Sequence, residues 1–584
     1  MINEKMKYMK TKHIIKTAIV MAAGILTLTS CEDWLTIYPT DKTVGDNFWV
    51  KKSDVEEMRT GAYAAVTEDA FLERVLMWGV FRSDEVIMPK GDTNTDRQFI
   101  QAGNLYPKQD ACSWTSFYKV INRCNIVLNH AEEVMEKDPD FTKGDCNSVR
   151  AEMLALRAYC YFYLVRSFRD VPYTEQSYEA DDVDMILPQS APKVVLDSCI
   201  SHLKEARKYI VKSGAYGLDD WRNKGYFTRD AIDALLADIY LWRGSMTGNA
   251  ADYQECVNYA DNVINSRDEY FRKYYPNESS VDVRAAKYHL HDVGNQYKYL
   301  FGYANEYPFK SNGYGGTTMS ETILEWQCKN NALANFYNSK AEASPIFNQV
   351  ATNANQEKGL KVYQTEYDLR FWNFTDNPVP DAESLPVYKL YYSNNDGYIV
   401  ISGGHLPGNS DIDHNWVVYR ITDVMLMKAE ALVQLAADSD DKPLEQAFNL
   451  VQVVNQRSMR STLDTLKYEG YNEKDKMELL VLAERERELC FEGKRWYDLM
   501  RYAYRKMGSV DITKCMTDDD YVIPALPDIS NFLTRKFASG NASVTYKMKT
   551  EPSLYWPINR REIKVNPLLR QNPVFQDNSS TSKN

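Results

Sequence analysis

The sequence predicts a mainly α-helical protein of TPR-like helix pairs, in two blocks parted by a large irregular and partly β region. Three observations carry this expectation. Two long blocks space their apolar residues at the helical period. In the first block small residues sit beside bulky aromatics, which is how stacked helix pairs approach closely. Between the blocks the period is lost, and Tyr, Asn, Gly and Asp dominate. With 44% hydrophobic and 26% charged residues, the chain has the composition of a folded globular protein.

At the amino end Lys5, Lys7, Lys10, Lys12 and Lys16 precede the apolar run "TAIVMAAGILTLTS". That run is shorter than the roughly 20 residues of a membrane-spanning helix and reads as a secretory signal. It ends in "LTSC", where Leu28 and two small residues precede Cys31, the pattern of a bacterial lipoprotein acylated on its first mature cysteine. Two acyl chains give stable anchoring where one does not. Removing residues 1–30 takes away five lysines and one glutamate, so the remainder is more acidic than the full chain at −12. An acidic body argues against a nucleic-acid partner, which needs a basic face. The remaining cysteines form no CxxC pair, and Cys160, Cys199 and Cys490 lie in apolar helical surroundings as small hydrophobes. No disulfide framework is expected.

The first helical block begins near Lys51. "WTSFYKVINRCNIVLNHAEEV" places Trp114, Phe117 or Tyr118, Ile121, Ile126 and Leu128 near helical spacing. "RAEMLALRAYCYFYLVRSFRDVPY" is apolar almost all round, the mark of a buried helix. Its Ala151, Ala155 and Ala158 form a small-residue stripe, and Asp170 and Pro172 are expected to stop it. "TRDAIDALLADIYLWRG" repeats the stripe with Ala231, Ala234 and Ala237, with Thr228 as expected cap and Gly244 as expected end. "ADYQECVNYADNVINS" adds a further helix. In the irregular middle, "ETILEWQ" and "YIVIS" are strand candidates. Helices resume with "VVYRITDVMLMKAEALVQLA" and "PLEQAFNLVQVVNQRSM", and the tail is irregular and proline-punctuated. The chain thus divides into a signal peptide (1–30), a lipidated tether (31–50), an N-terminal TPR-like region (51–270), an irregular region (271–415), C-terminal TPR-like helices (416–510) and an irregular C-terminal segment (511–584).

One stretch, "ELCFEGKRWYDLMR", packs carboxylates, a thiol and basic groups densely enough to suggest an active site. On helices, however, Arg485 and Glu488 are three apart and Glu488 and Glu492 four apart. Glu492 with Arg495, and Lys494 with Asp498, also fall at spacings that pair on one face. Gly493 breaks the run between two helices. Catalysis would want a carboxylate or thiol left unpaired with a shifted pKa, so Arg485, Glu488, Glu492, Arg495 and Asp498 read as a structural clasp. No HExxH, GxSxG, P-loop or GxGxxG motif is present. "HLH" at His289 and His291 lacks a third metal ligand at useful spacing. "DPDFTKGD" has a calcium-loop flavour but lacks its glycine placement and closing Glu. "SDE" at Ser83–Glu85 is weighed as a glycosidase carboxylate pair, yet adjacent residues point apart. No cofactor or metal is expected.

Several segments together carry a family likeness: Cys31 with Glu32 and Asp33, "RAYCYFYLVRSFRDVPY", "FTRDAIDALLADIYLWRG", "YRITDVMLMKAEAL", "VNQRSM", "ERERELCFEGKRWYDLMR" and "WPINRREIKVNPLLRQNPVF". In this order they resemble the SusD/RagB family of surface lipoproteins. Departures are Arg169 for a usual glycine, Lys428 for an aromatic, Asn559 for a second proline, and Val574-Phe575 for Gly-Tyr. The resemblance implies four TPR-like helix pairs behind a ligand-carrying region, and a scaffold role for the dense stretch. It also implies a non-enzymatic, cell-surface, lipid-anchored outer-membrane protein that captures an oligosaccharide and delivers it to a SusC-like TonB-dependent porin. Peptide capture, as in RagB-type relatives, is the alternative, and a surface hydrolase or pure TPR scaffold are the remaining ones.

Aromatic rings stack on sugar faces while polar neighbours bond hydroxyls. Candidate ligand contacts are therefore sought in irregular segments. One set is Asn94, Asp96, Arg97, Phe99 and Tyr106, just before the Trp114 helix, where the resembled family contributes ligand contacts. The other is Tyr337, Trp372 and Tyr392 in the middle region.

Overall fold

The computed structural model describes residues 48–179, 186–217, 220–274, 287–290, 321–328, 332–347, 362–365, 367–370, 387, 389, 415–439, 441–459, 466–537 and 541–576. From Lys51 onward these belong to one compact unit. Helices dominate it. α1 (Lys52–Ala65) is followed by α2 (Asp69–Leu76), which continues into a π-helical turn at Met77–Phe81. A short α3 (Thr95–Gln101) precedes α4 (Thr115–Lys137), α5 (Lys143–Phe168) and α6 (Pro192–Tyr209). Then come α7 (Arg229–Thr247), α8 (Ala250–Tyr274) and α9 (Ala332–Ser339). The C-terminal series is α10 (Ile421–Leu435), α11 (Lys442–Ser458), α12 (Lys474–Leu489), α13 (Arg495–Met507) and α14 (Ala542–Lys547).

The stacking follows from side-chain size. α4 packs on α1 and α5, α5 on α6, α6 on α7, α7 on α8, and α8 on α10, which continues to α11 and α12. α5 is enclosed by α4 and α6, so its apolar residues face every direction. The stripes Ala151, Ala155, Ala158 and Ala231, Ala234, Ala237 are all buried.

Two helix ends differ from the sequence reading. Thr228 flanks α7 but its hydroxyl does not cap the helix; it bonds Ser213 Oγ at 3.0 Å. α7 also runs through Gly244, where a Cβ would meet Tyr253 of α8 at 3.1 Å, so this glycine serves close packing. The helix ends instead at Gly248, in the left-handed region at φ 70°. At the end of α5 the chain turns at Arg169, whose φ is +68°.

Three two-stranded antiparallel ladders staple distant segments. β1 (Val86–Ile87) pairs with β5 (Glu342–Ala343), and β2 (Val171–Pro172) with β3 (Gln189–Ser190). β4 (Thr322–Trp326) pairs with β6 (Trp416–Arg420), setting Trp326 opposite Trp416. Every residue of β4 and β6 is buried, and β6 runs directly into α10. The expected strand in "ETILEWQ" is therefore present; "YIVIS" lies outside the described residues. No helix among the described residues is long and apolar enough to cross a membrane.

Candidate functional site

The dense stretch lies at the junction of α12 and α13, with Gly493 at φ 74° between them. Its charges are committed, but mostly not to the neighbours that helical spacing suggested. Glu488 accepts from Arg420 Nη1 at 2.6 Å, from Arg370 Nη1 at 3.1 Å, and from Arg457. Glu492 takes Arg420 through two bonds, at 2.9 and 2.8 Å, and Lys389 at 2.7 Å. Arg495 grips Asp84 through two bonds and lies 3.2 Å from Glu486. Arg485 pairs with Asp423 at 3.0 Å and Asp498 at 2.9 Å, while Asp498 also takes Arg501 three residues on. The expected Arg485–Glu488 and Glu492–Arg495 pairs are replaced by long-range ones, because at a helix junction the buried face meets other segments before its own next turn.

Electrostatics follow this geometry. Burial alone would raise the Glu488 carboxyl, yet the guanidiniums of Arg457, Arg420 and Arg370 outweigh it and hold it well below the usual range. Burial pushes the Cys490 thiol up to about 12, far from a reactive thiolate. The neighbouring "SDE" carboxylates diverge in the interior. Asp84 is held by Arg495 and Arg535, whereas Glu85 accepts the Phe491 amide at 3.1 Å. In "DPDFTKGD", Asp138 and Asp145 are engaged by the backbone and side chain of Lys52. His289 stacks on Phe271 and pairs with Asp268.

The segment before α4 has a different construction. Asn94 caps α3, its side chain accepting the Arg97 amide at 2.9 Å. Arg97 donates Nε and Nη2 to Asp92 Oδ2, at 2.9 and 2.5 Å. Asp96 accepts the Tyr106 hydroxyl in a short bond, which raises that phenol to about 12. The polar trio expected to reach ligand is thus engaged in shaping the loop. Gly103, at φ 71°, ends α3, and the Asn104 amide returns to the Phe99 carbonyl at 2.7 Å. What this frame presents is a ring pair: Phe99, 44% exposed, meets Tyr106 edge-on at 5.7 Å.

The middle-region candidates fare differently. Tyr337 does not offer a ring to solvent: it is 2% exposed, and its hydroxyl donates to the Phe491 carbonyl at 2.7 Å. On α9 it packs inward against Phe336 and Phe491, which places it in the core beside the clasp. Trp372, Tyr392, His291 and Cys31 lie outside the described residues.

A cavity of about 520 Å³ lies behind α3, walled by Ile100, Gln101, Gly103 and Leu105 on one side. Trp496, Leu533, Val544, Val574 and Phe575 form further wall, with Arg82, Lys536, Lys547 and Lys549 as its cations. Sequence reading missed it because its walls come from segments hundreds of positions apart, and no local motif marks Arg82 or Lys536.

Comparison with known proteins accounts for nearly the whole chain. Residues 294–575 match the family described as the SusD family, and residues 33–241 match one described as "Starch-binding associating with outer membrane". The chain is similar to SusD-like protein P38 of Formosa agariphila, 25% identical over 525 residues that cover 86% of this chain and 94% of the relative. SusD-like protein P25 of the same organism is 22% identical, covering 95% of this chain and 98% of its own. Among solved structures, a SusD superfamily protein from Bacteroides vulgatus ATCC 8482 superposes with TM-score 0.62 at 17% identity, covering 90% of this chain and 100% of that one. B. fragilis NanU superposes with TM-score 0.58 at 17% identity, covering 93% and 100%. The shared fold is the mainly helical, TPR-like one described above, and with both halves of the sequence matched, the chain belongs to the SusD/RagB family.

Proposed function

We propose that this SusD-like nutrient-binding protein is a lipid-anchored cell-surface receptor that captures an oligosaccharide and hands it to a SusC-like TonB-dependent porin. It acts by holding its cargo and makes or breaks no bond. The observation that carries the reading is the Phe99–Tyr106 ring pair on a loop held rigid by Asp92, Asn94, Asp96 and Arg97. This loop falls within the segment matched by the starch-binding family description. An exposed ring with fixed polar neighbours suits the apolar face of a sugar, and a preformed loop lowers the entropic cost of binding. Lipid attachment at Cys31 and the porin partner are carried over from the family resemblance and the "LTSC" signal.

Titration calorimetry with a panel of neutral oligosaccharides, starch fragments included, tests the binding reading. At least one should bind, and Phe99→Ala should weaken it about tenfold, or ~1.4 kcal/mol, with the melting temperature unchanged. Silence across the panel, together with peptides co-purifying with the native protein, would move the cargo assignment to peptide.

A further inference from the structure

The cavity behind α3 holds two cations that differ from the carboxylate-paired cations of the interior. Arg166, Arg370, Arg420, Arg485, Arg495 and Arg501 each have a carboxylate partner. Arg82 is also more than nine-tenths buried, yet its guanidinium donates only to the carbonyls of Leu554 and Ser553, each at 2.6 Å. It stacks over Trp496 at 4.2 Å. Lys536, 4% exposed, donates to the Ser83 carbonyl at 2.6 Å. Since Ser83 follows Arg82, the two cations share one stretch of wall.

A carbonyl dipole compensates a buried charge less than a carboxylate does, and burying an ion without a counter-ion is costly. The consequence is visible in both groups: burial lowers Lys536 to about 8, opposed by the nearby Asp84, and lowers Arg82 to about 9. Lys547 and Lys549 add positive charge, and none of the described lining residues is acidic. The remaining wall is mostly apolar, and a volume of about 520 Å³ is within the range of small-molecule sites.

We propose that this cavity is a second binding site, which takes a carboxylate carried on a compact apolar body. The charge sits at Arg82 and Lys536, and the body lies against Ile100, Leu105, Val544 and Val574. A neutral sugar fits poorly, since its hydroxyls would face the apolar wall and it would bring no counter-charge to cations held mainly by carbonyls. The site does not depend on glycan binding at Phe99; either can hold when the other fails.

Calorimetry on the purified protein at pH 8 tests this with 3-phenylpropanoate, its neutral amide, glucuronate, and the peptide N-acetyl-Leu-Phe. The free acid should bind at least tenfold more tightly than the amide and than glucuronate. Binding should take up protons as the anion raises Lys536, seen as a dependence of the heat on buffer ionisation. Lys536→Gln should weaken the acid at least tenfold and abolish the proton uptake. Val574→Trp, placed at a partly exposed wall position, should block the acid without lowering the melting temperature, which guards against a folding defect in the lysine variant. Tighter binding of the peptide than of the free acid assigns the carboxylate to a peptide end; the reverse assigns it to a free small acid. Discrimination below tenfold against amide or glucuronate, or no heat from any acid, overturns the proposal.

Discussion

Around Glu488, carboxylates and guanidiniums from separate segments meet in the interior; around α3, Asp92, Arg97, Asp96 and Tyr106 pair within a short loop at the surface. Carboxylates are the acceptors in both, but the span they bridge differs. Glu488 draws Arg370, Arg420 and Arg457 from positions 118, 68 and 31 residues away, so its network ties the middle region to the C-terminal helices. The pairs at α3 span five and ten residues and fix only the pose of one ring pair. Charge therefore acts as long-range cross-linking in the first region and as local preorganisation in the second.

Breaking the first region should have the largest effect. Glu488→Gln leaves three buried guanidiniums short of a carboxylate, and removing one partner from such a network costs roughly 3–5 kcal/mol. Chemical denaturation of the variant should show a loss of this size. A loss under ~1 kcal/mol would mean that Glu492, Glu484 and Glu321 compensate, and that the network is redundant.

Arg169 sharpens the same point at the end of α5. Its φ of +68° is a conformation that glycine adopts freely and an arginine rarely does. Here the guanidinium is fully buried and donates to Glu551, Asp170 and the carbonyls of Lys514 and Asp511. Arg169→Gly relieves backbone strain of about 1–2 kcal/mol but strands Glu551 and Asp170. A net destabilisation of roughly 2–3 kcal/mol is expected, partly restored when Glu551→Gln is added. Stabilisation by the single change would show that the strain outweighs the network.

The sequence made these regions legible to different depths. Helical spacing located the dense stretch on two helices parted at Gly493, and the alanine stripes marked the buried faces of α5 and α7. Spacing could not name the partners of Glu488 or Arg495, because three- and four-residue offsets occur in any charge-rich helix while Arg420, Arg370 and Asp84 are brought in only by the tertiary fold. Tyr337 misleads for a related reason: a tyrosine in a Gly- and Asn-rich region looks available until α9 turns it onto Phe491. Arg82 and Lys536 carried no signal at all.

Acid should act in opposite senses on Asp423, which pairs with Arg485 and Lys494 of the clasp, and on Asp233 of α7. Burial would raise Asp423, but Lys494 and Arg485 hold it down at about 2. A depressed carboxyl contributes stability above its unfolded value near 4, and that contribution is lost as pH falls from about 4 to about 2. For Asp423 it amounts to about 2–3 kcal/mol. Asp233 runs the other way: burial, only partly offset by Arg207, raises it to about 6, so its contribution is present in acid and fades as pH rises from about 4 to about 6. Denaturation midpoints measured across this range should fall steeply below pH 4, and Asp423→Asn should flatten that slope. An unchanged slope would assign the acid sensitivity elsewhere.

The smallest change in stability is expected at α3, where the comparison reverses. Asp92→Asn weakens a partly exposed pair with Arg97, which is worth at most about 1 kcal/mol to folding. Its effect should appear instead in ligand affinity, because the loop that sets the Phe99 ring loses its anchor while α3 keeps the Asn94 cap. A several-fold loss of binding with a melting temperature near wild type would place the preorganisation in this short-range pair. Equal binding would mean that the cap and the Asp96–Tyr106 bond hold the rings without help, and a large fall in stability would mean that α3 is wired into the scaffold as tightly as the clasp.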